Sequence, residues 1–228
     1  MSEIRLKQLN RLTYKPYISI KDPVSALTHF IGFLLAIFFT PVLLSRAALY
    51  HPDLLTMVSL SIYCLSMIIL YGASSAYHSF VLPERPSRVL KKIDHISVFL
   101  LIAGTYTPIC LCLLKDKGGI PLLIGVWSVA VLGIIMKLFW IYCPRYVSSI
   151  VYIAMGWLAL IKIKTIWLTL APIGFFFLLT GGLFYTIGGI IYALKIKINE
   201  DWSEHEIFHI FVLLGSLCHY IMIFSYVI

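Results

Sequence analysis

The chain has 228 residues, of which 61% are hydrophobic and only 12% charged, with a mean hydropathy of +0.95. A soluble domain of this size carries roughly twice that share of charge, so a soluble globular protein is excluded. The net charge of +8 raises nucleic acid as a partner, and the placement of the charges decides against it.

Residues 1–21 are polar and basic and form a predicted cytoplasmic tail. They lead into a full-length apolar helix with no small-residue cleavage pattern, so they are not read as a cleaved signal. Residues 22–228 form one domain. Runs free of Asp, Glu, Lys and Arg cover 23–45, 54–83, 95–114, 118–136, 146–161, 165–194 and 207–228. A bilayer core of about 30 Å needs roughly 20 apolar residues in a helix. Six runs meet this. The short run 146–161 is extended when Lys162 and Lys164 snorkel to the interface. The reading is an all-α membrane protein with a bundle of seven transmembrane helices.

In chain order, helices are predicted over about 24–45, 54–80, 94–114, 119–141, 146–162 and 166–194, with a seventh from residue 204. Residues 81–92, rich in Pro, Lys and Arg, read as a link, so that Asp94 opens the third helix. Pro108 is expected to kink that helix. The sixth helix is rich in glycine, which permits close approach of helices in lipid. Ser203-Glu204-His205-Glu206 fits a capping box and marks the start of the last helix. Five cysteines, mostly within helices and with no CxxC pair, read as free thiols acting as small apolar side chains.

With the N-terminus in the cytoplasm, only Arg46, Lys115, Lys117, Lys162 and Lys164 of the 18 Lys and Arg residues fall outside. The positive-inside rule therefore predicts a cytoplasmic N-terminus and an outer C-terminus. The basic excess then describes topology and contact with anionic headgroups at the cytoplasmic face, not a nucleic-acid footprint.

Ser74, His78, Asp94, His205 and His209 all fall at one edge of this bundle. Ionisable groups near hydrocarbon are costly and are functional candidates by default. His205 and His209, four apart on a helix, share a face and can chelate one ion. Charge counting brings His78 to the same side, which gives three candidate zinc ligands. Ser74 lies one turn deeper than His78 on the same face, and Asp94 can take a proton from attacking water or orient a ligand. Each residue also has a plain explanation. A histidine can simply occupy the headgroup interface, Asp94 can complement a helix dipole, and Ser74 can bond its own backbone. His29 reads as packing, His51 as a loop residue, and His95 as pointing away from Asp94. His219, ten residues past His209, is roughly 15 Å deeper and is expected to bond within the bundle. His205-Glu206-Ile207-Phe208-His209 also matches H-E-x-x-H, the metalloprotease pattern in which Glu206 would be the base.

The segments Ser74-Ser75-Ala76-Tyr77-His78, Asp94-His95-Ile96-Ser97 and Ser203 to His209, together with Leu27 to Gly32 and the stretch through Gly215 and His219, resemble the hemolysin III family. That family is grouped with the adiponectin and progestin receptors and, more distantly, the alkaline ceramidases. The resemblance covers nearly all of the chain beyond the tail. It implies a seven-helix bundle with a zinc ion near the inner face, held by His78, His205 and His209 and supported by Ser74 and Asp94. The short N-terminal stretch suits a bacterial cytoplasmic-membrane protein more than a receptor, and no residue supports haemolysis beyond the family's name.

Three functions are compatible with these residues. One is a zinc hydrolase acting on an amide or ester of a membrane lipid, in membrane lipid homeostasis, with Asp94 as base and Ser74 as a positioning group. The second is a non-enzymatic membrane sensor with structural zinc. The third is an intramembrane metalloprotease. A pore is disfavoured, because the helices carry no continuous polar stripe.

Overall fold

A computed structural model describes residues 19–198, 200 and 202–228. The basic tail expected over residues 1–21 lies outside them up to residue 18. Among the described residues there is no strand, and seven helices are long and apolar enough to cross a membrane: α1 (Pro23–Tyr50), α2 (Leu54–Ser79), α3 (Glu84–Leu113), α4 (Gly119–Phe139), α5 (Arg145–Thr169), α6 (Pro172–Leu194) and α7 (Glu204–Val227). The chain is an integral, multi-pass membrane protein. Large apolar side chains such as Phe38, Leu132 and Leu217 face outward, as a bilayer solvent requires.

Two local interruptions follow from the rule that backbone groups in lipid must be satisfied internally. Pro108 cannot donate a helical hydrogen bond, and α3 widens into a π stretch over Ile109–Leu113 directly after it. The predicted disturbance at Pro108 is thus present as a change of helix type. In α5, Gly156 is followed by a 3-10 stretch, Trp157–Lys162. The Tyr106 hydroxyl bridges that break, donating to the Gly156 carbonyl at 2.5 Å and accepting from the Ala159 amide at 2.8 Å.

Several expected boundaries shift. Helix α1 runs on to Tyr50, α5 on to Thr169, and α6 starts only at Pro172. The largest change is α3, which starts at Glu84. Asp94 therefore does not open the helix but lies almost three turns inside it. Polar and basic residues end a hydropathy run without ending a helix. The first turns of α3 hold themselves with an Arg88–Glu84 pair four residues apart.

Interhelix contacts define the two ends of the bundle. At one end, the Asp22 amide bonds the His78 carbonyl at 2.9 Å, Lys92 reaches the Leu138 carbonyl at 2.6 Å, and Arg145 pairs with Glu204. This end gathers the starts of α1, α3, α5 and α7 and the ends of α2 and α4. At the other end, Lys117 donates to Thr169 at 2.9 Å. There His51, Asp53, Lys115 and Ile228 line one small cavity. In mid-bundle, Ser216 of α7 bonds Tyr71 of α2 at 2.6 Å and Tyr185 of α6 at 2.8 Å.

Candidate metal centre

His78 is on the last turn of α2, and His205 and His209 are on the first two turns of α7. Each local reason is visible. The α7 start carries the predicted capping box: the Ser203 hydroxyl accepts from the Glu206 amide at 3.2 Å, and Glu206 Oε2 accepts from the Ser203 amide at 2.8 Å. Four-residue spacing then puts His205 and His209 on one face, with ring centroids 4.5 Å apart.

One ligand atom from each of His78, His205 and His209 can be chosen so that all lie within 4.8 Å of one another. His78 Nε2 and His205 Nε2 are 3.1 Å apart. A tetrahedral ion with metal–nitrogen distances of about 2.0–2.1 Å requires ligand nitrogens about 3.3 Å apart, so the pair fits. His78 and His209 are nearly fully buried.

The far side of two rings is held by groups the sequence reading did not single out. His78 Nδ1 donates to Asp22 Oδ2 at 2.8 Å, and His209 Nδ1 donates to the Ser25 carbonyl at 3.3 Å. A carboxylate or carbonyl on Nδ1 fixes the tautomer and leaves Nε2 with its lone pair, the usual support of a metal-binding histidine. Asp22, directly before Pro23 at a helix start, had a signal in its position, since it belongs to the same end as His78. Ser25 acts through its backbone, and a backbone carbonyl leaves no mark in sequence.

Asp94 is buried. His78, His205 and His29 are among its titratable neighbours, so the structure brings it to the histidines. It is not one of the close-set ligand atoms. His95 does not point away from it: His95 Nδ1 lies 2.8 Å from Asp94 Oδ2. Ser74 neighbours Asp94, and its buried hydroxyl interacts with that carboxylate. His29 packs as expected, and its packing partner is a candidate ligand: it lies flat against His209, with both ring nitrogens buried and without a hydrogen-bond partner among the described residues. His219 is remote, as expected, with Nε2 donating to the Leu178 carbonyl at 3.2 Å.

Ser74, His78, Asp94, His205 and His209 all line one cavity of about 810 Å³. Its other walls run through Tyr106, Ile109, Ile166 and Phe175, so polar groups at the histidine end give way to an apolar interior.

Comparison with known proteins identifies the family. The family model described as "Haemolysin-III related" matches residues 17–220. The chain is 39% identical over 209 residues to the "Hemolysin-3 homolog" of Bacillus subtilis (strain 168), covering 91% of this chain and 95% of that protein. It is 36% identical over 211 residues to "Hemolysin-3" of Bacillus cereus, covering 92% and 93%. A match across nearly the whole chain, helices and histidine-bearing segments included, places this protein in the haemolysin-III related family.

Proposed function

We propose that the protein is a zinc-dependent hydrolase of an amide or ester bond in a membrane lipid, resident in a bacterial cytoplasmic membrane with its N-terminus inside. The observation that carries this reading is the matched support of His78 and His209. Each has Nδ1 held by an acceptor, which leaves Nε2 as the free ligand atom. His205 completes a three-histidine set. Three imidazole ligands suit zinc and leave one position of a tetrahedral ion for chemistry.

Bound zinc would polarise a carbonyl and make water more acidic. The remaining steps belong to the chain. Asp94, steadied by His95, accepts the proton of the attacking water and returns it to the leaving amine or alcohol. The buried Ser74 hydroxyl, beside Asp94, donates to the oxygen that gains charge. The apolar reach of the cavity takes the lipid chain, which enters sideways from the bilayer.

The sensor reading keeps one supporting observation: a metal here would tie α2 to α7 through His78 and His205 whether or not turnover follows. The metalloprotease reading is weaker, because Glu206 is engaged by its own helix cap.

Metal analysis of the purified protein beside the His78→Ala, His205→Ala, His209→Ala and His219→Ala variants tests the centre. About one zinc per chain is expected in the wild type and in His219→Ala, with sharp loss in the other three. Full zinc retention in His78→Ala would reduce the site to a local α7 feature and end the proposal. Lipid profiles of membranes with and without the protein test the hydrolysis, and unchanged profiles alongside bound zinc leave the sensor reading.

A further inference from the structure

Lys137, near the end of α4, is 1% exposed and lines the same cavity as the histidines. Its ammonium donates to Ser148 Oγ at 2.5 Å and to Cys143 Sγ at 3.0 Å. Both partners are neutral in their ordinary forms, and no carboxylate pairs with Lys137 among the described residues. An ammonium has three donors, so one is left over. A buried cation without a counter-charge is costly, and in membrane proteins it marks a ligand path by default.

The surroundings add positive charge. Lys91 of α3 lines the same cavity, and three cations, Lys137, Lys21 and Arg145, outnumber the one carboxylate, Asp94, among its charged neighbours. Lys21 and Arg145 are matched by Asp22 and Glu204. Lys91 lies over the face of the Tyr142 ring, 4.7 Å away, and makes no ion pair among the described residues, with Asp94 its carboxylate neighbour. The start of α5, with no side-chain cap, contributes its positive dipole end at the same corner. Ser148 and Ser149 of its first turns also line the cavity. A buried cation with no paired carboxylate, a second cation set mostly among other cations, a helix start and two buried hydroxyls thus converge at the polar end of the cavity.

We infer that Lys137 and Lys91 form an anion subsite that holds a phosphate group beside the metal centre. The apolar interior that continues from this corner makes the phosphate that of a lipid headgroup, an assignment that rests on the hydrolase reading. The subsite itself does not depend on turnover. The substrate class would then be an anionic phospholipid or phosphorylated lipid, with its chain in the cavity and its phosphate at the corner of α3, α4 and α5.

The test uses the full chain in detergent. Native mass spectrometry follows retention of added phosphatidylglycerol against diacylglycerol, which has the same chains and no phosphate, and a thermal-unfolding series follows inorganic phosphate. The wild type should retain one phosphatidylglycerol in preference to diacylglycerol. Lys137→Met should lose that preference about tenfold, the size expected for one charge-assisted contact, and should fold at least as well, because it replaces a buried charge with an apolar chain of similar length. Lys91→Gln, at a half-buried position, should weaken retention without a folding defect. His209→Ala should retain the lipid, which separates failure of this subsite from failure of the metal centre. Stabilisation by inorganic phosphate that disappears in Lys137→Met, with no preference between the lipids, would support the subsite and assign it to a free anion. Equal retention and equal phosphate response in wild type, Lys137→Met and Lys91→Gln would overturn it. So would destabilisation of both Lys137→Met and Cys143→Ser with anion binding intact, which would make the ammonium the counter-ion of a Cys143 thiolate.

Discussion

The imidazole of His29 lies flat against that of His209, with ring centroids 3.7 Å apart and planes 8° from parallel. His29 comes from α1 and His209 from α7, so the stack fixes the tilt of one candidate ligand from a helix that supplies none of the three. Tyr71 of α2 closes the other side, edge-on to His29 at 5.1 Å. The centre is therefore held by three helices, not only by the two that carry the candidate ligands.

If the role of His29 is to hold the ring of His209 in place, a flat apolar ring should replace it. His29→Phe should keep near wild-type zinc affinity, while His29→Ala should weaken it by about 10–100-fold, the usual loss when a supporting group around a metal site is removed. Competition with a chelator of known affinity reads this directly. Equal loss in both variants would mean that the ring nitrogens of His29, and not its face, matter.

Asp22 offers a second handle on the same property. Its carboxylate is the only acceptor at His78 Nδ1 among the described residues. Asp22→Ala should lower zinc affinity by a similar factor of about 10–100 with the helices still assembled, as far-ultraviolet circular dichroism would verify. Unchanged affinity would show that Asp22 serves only the start of α1.

The roles of Asp94 and Glu206 separate the candidate chemistries. Asp94→Asn should retain zinc and abolish lipid turnover, because an amide does not accept the proton. Glu206→Gln should retain both, costing at most about 1 kcal/mol of helix-start stability. The reverse pattern, a dead Glu206→Gln and an active Asp94→Asn, would favour a metalloprotease. Two wild-type variants would make the metal structural.

Topology is testable without any ligand. The histidine end carries Lys21, Arg85, Arg88, Lys91, Lys92, Lys137 and Arg145, and the positive-inside rule assigns it to the cytoplasm. A reporter active only in the cytoplasm should be silent when fused after Ile228 and active when fused ahead of α1. A strong signal after Ile228 would invert the bundle and place the centre on the outer face.

Sequence alone determined the features that depend on local or one-dimensional physics. Seven spans follow because a bilayer demands long runs without charge, and seven charge-interrupted apolar runs are legible one after another. The capping box of α7 and the shared face of His205 and His209 need only helix geometry. Membership of His78 in the same end needed only the count of crossings. What the tertiary structure decided concerns helix ends in polar surroundings and rotation about helix axes. The start of α3 at Glu84 is invisible to a hydropathy reading, because helices continue past the hydrocarbon edge, and Asp94 was therefore read as a helix start. Whether His29 faces lipid or His209, whether His95 turns toward Asp94, and whether Lys137 snorkels outward or points into the cavity are set by how each helix rotates to fill the space between its neighbours. That rotation is a property of the packed bundle, since α1, α2, α4 and α6 are apolar nearly all round and carry no strong stripe to announce their inward faces.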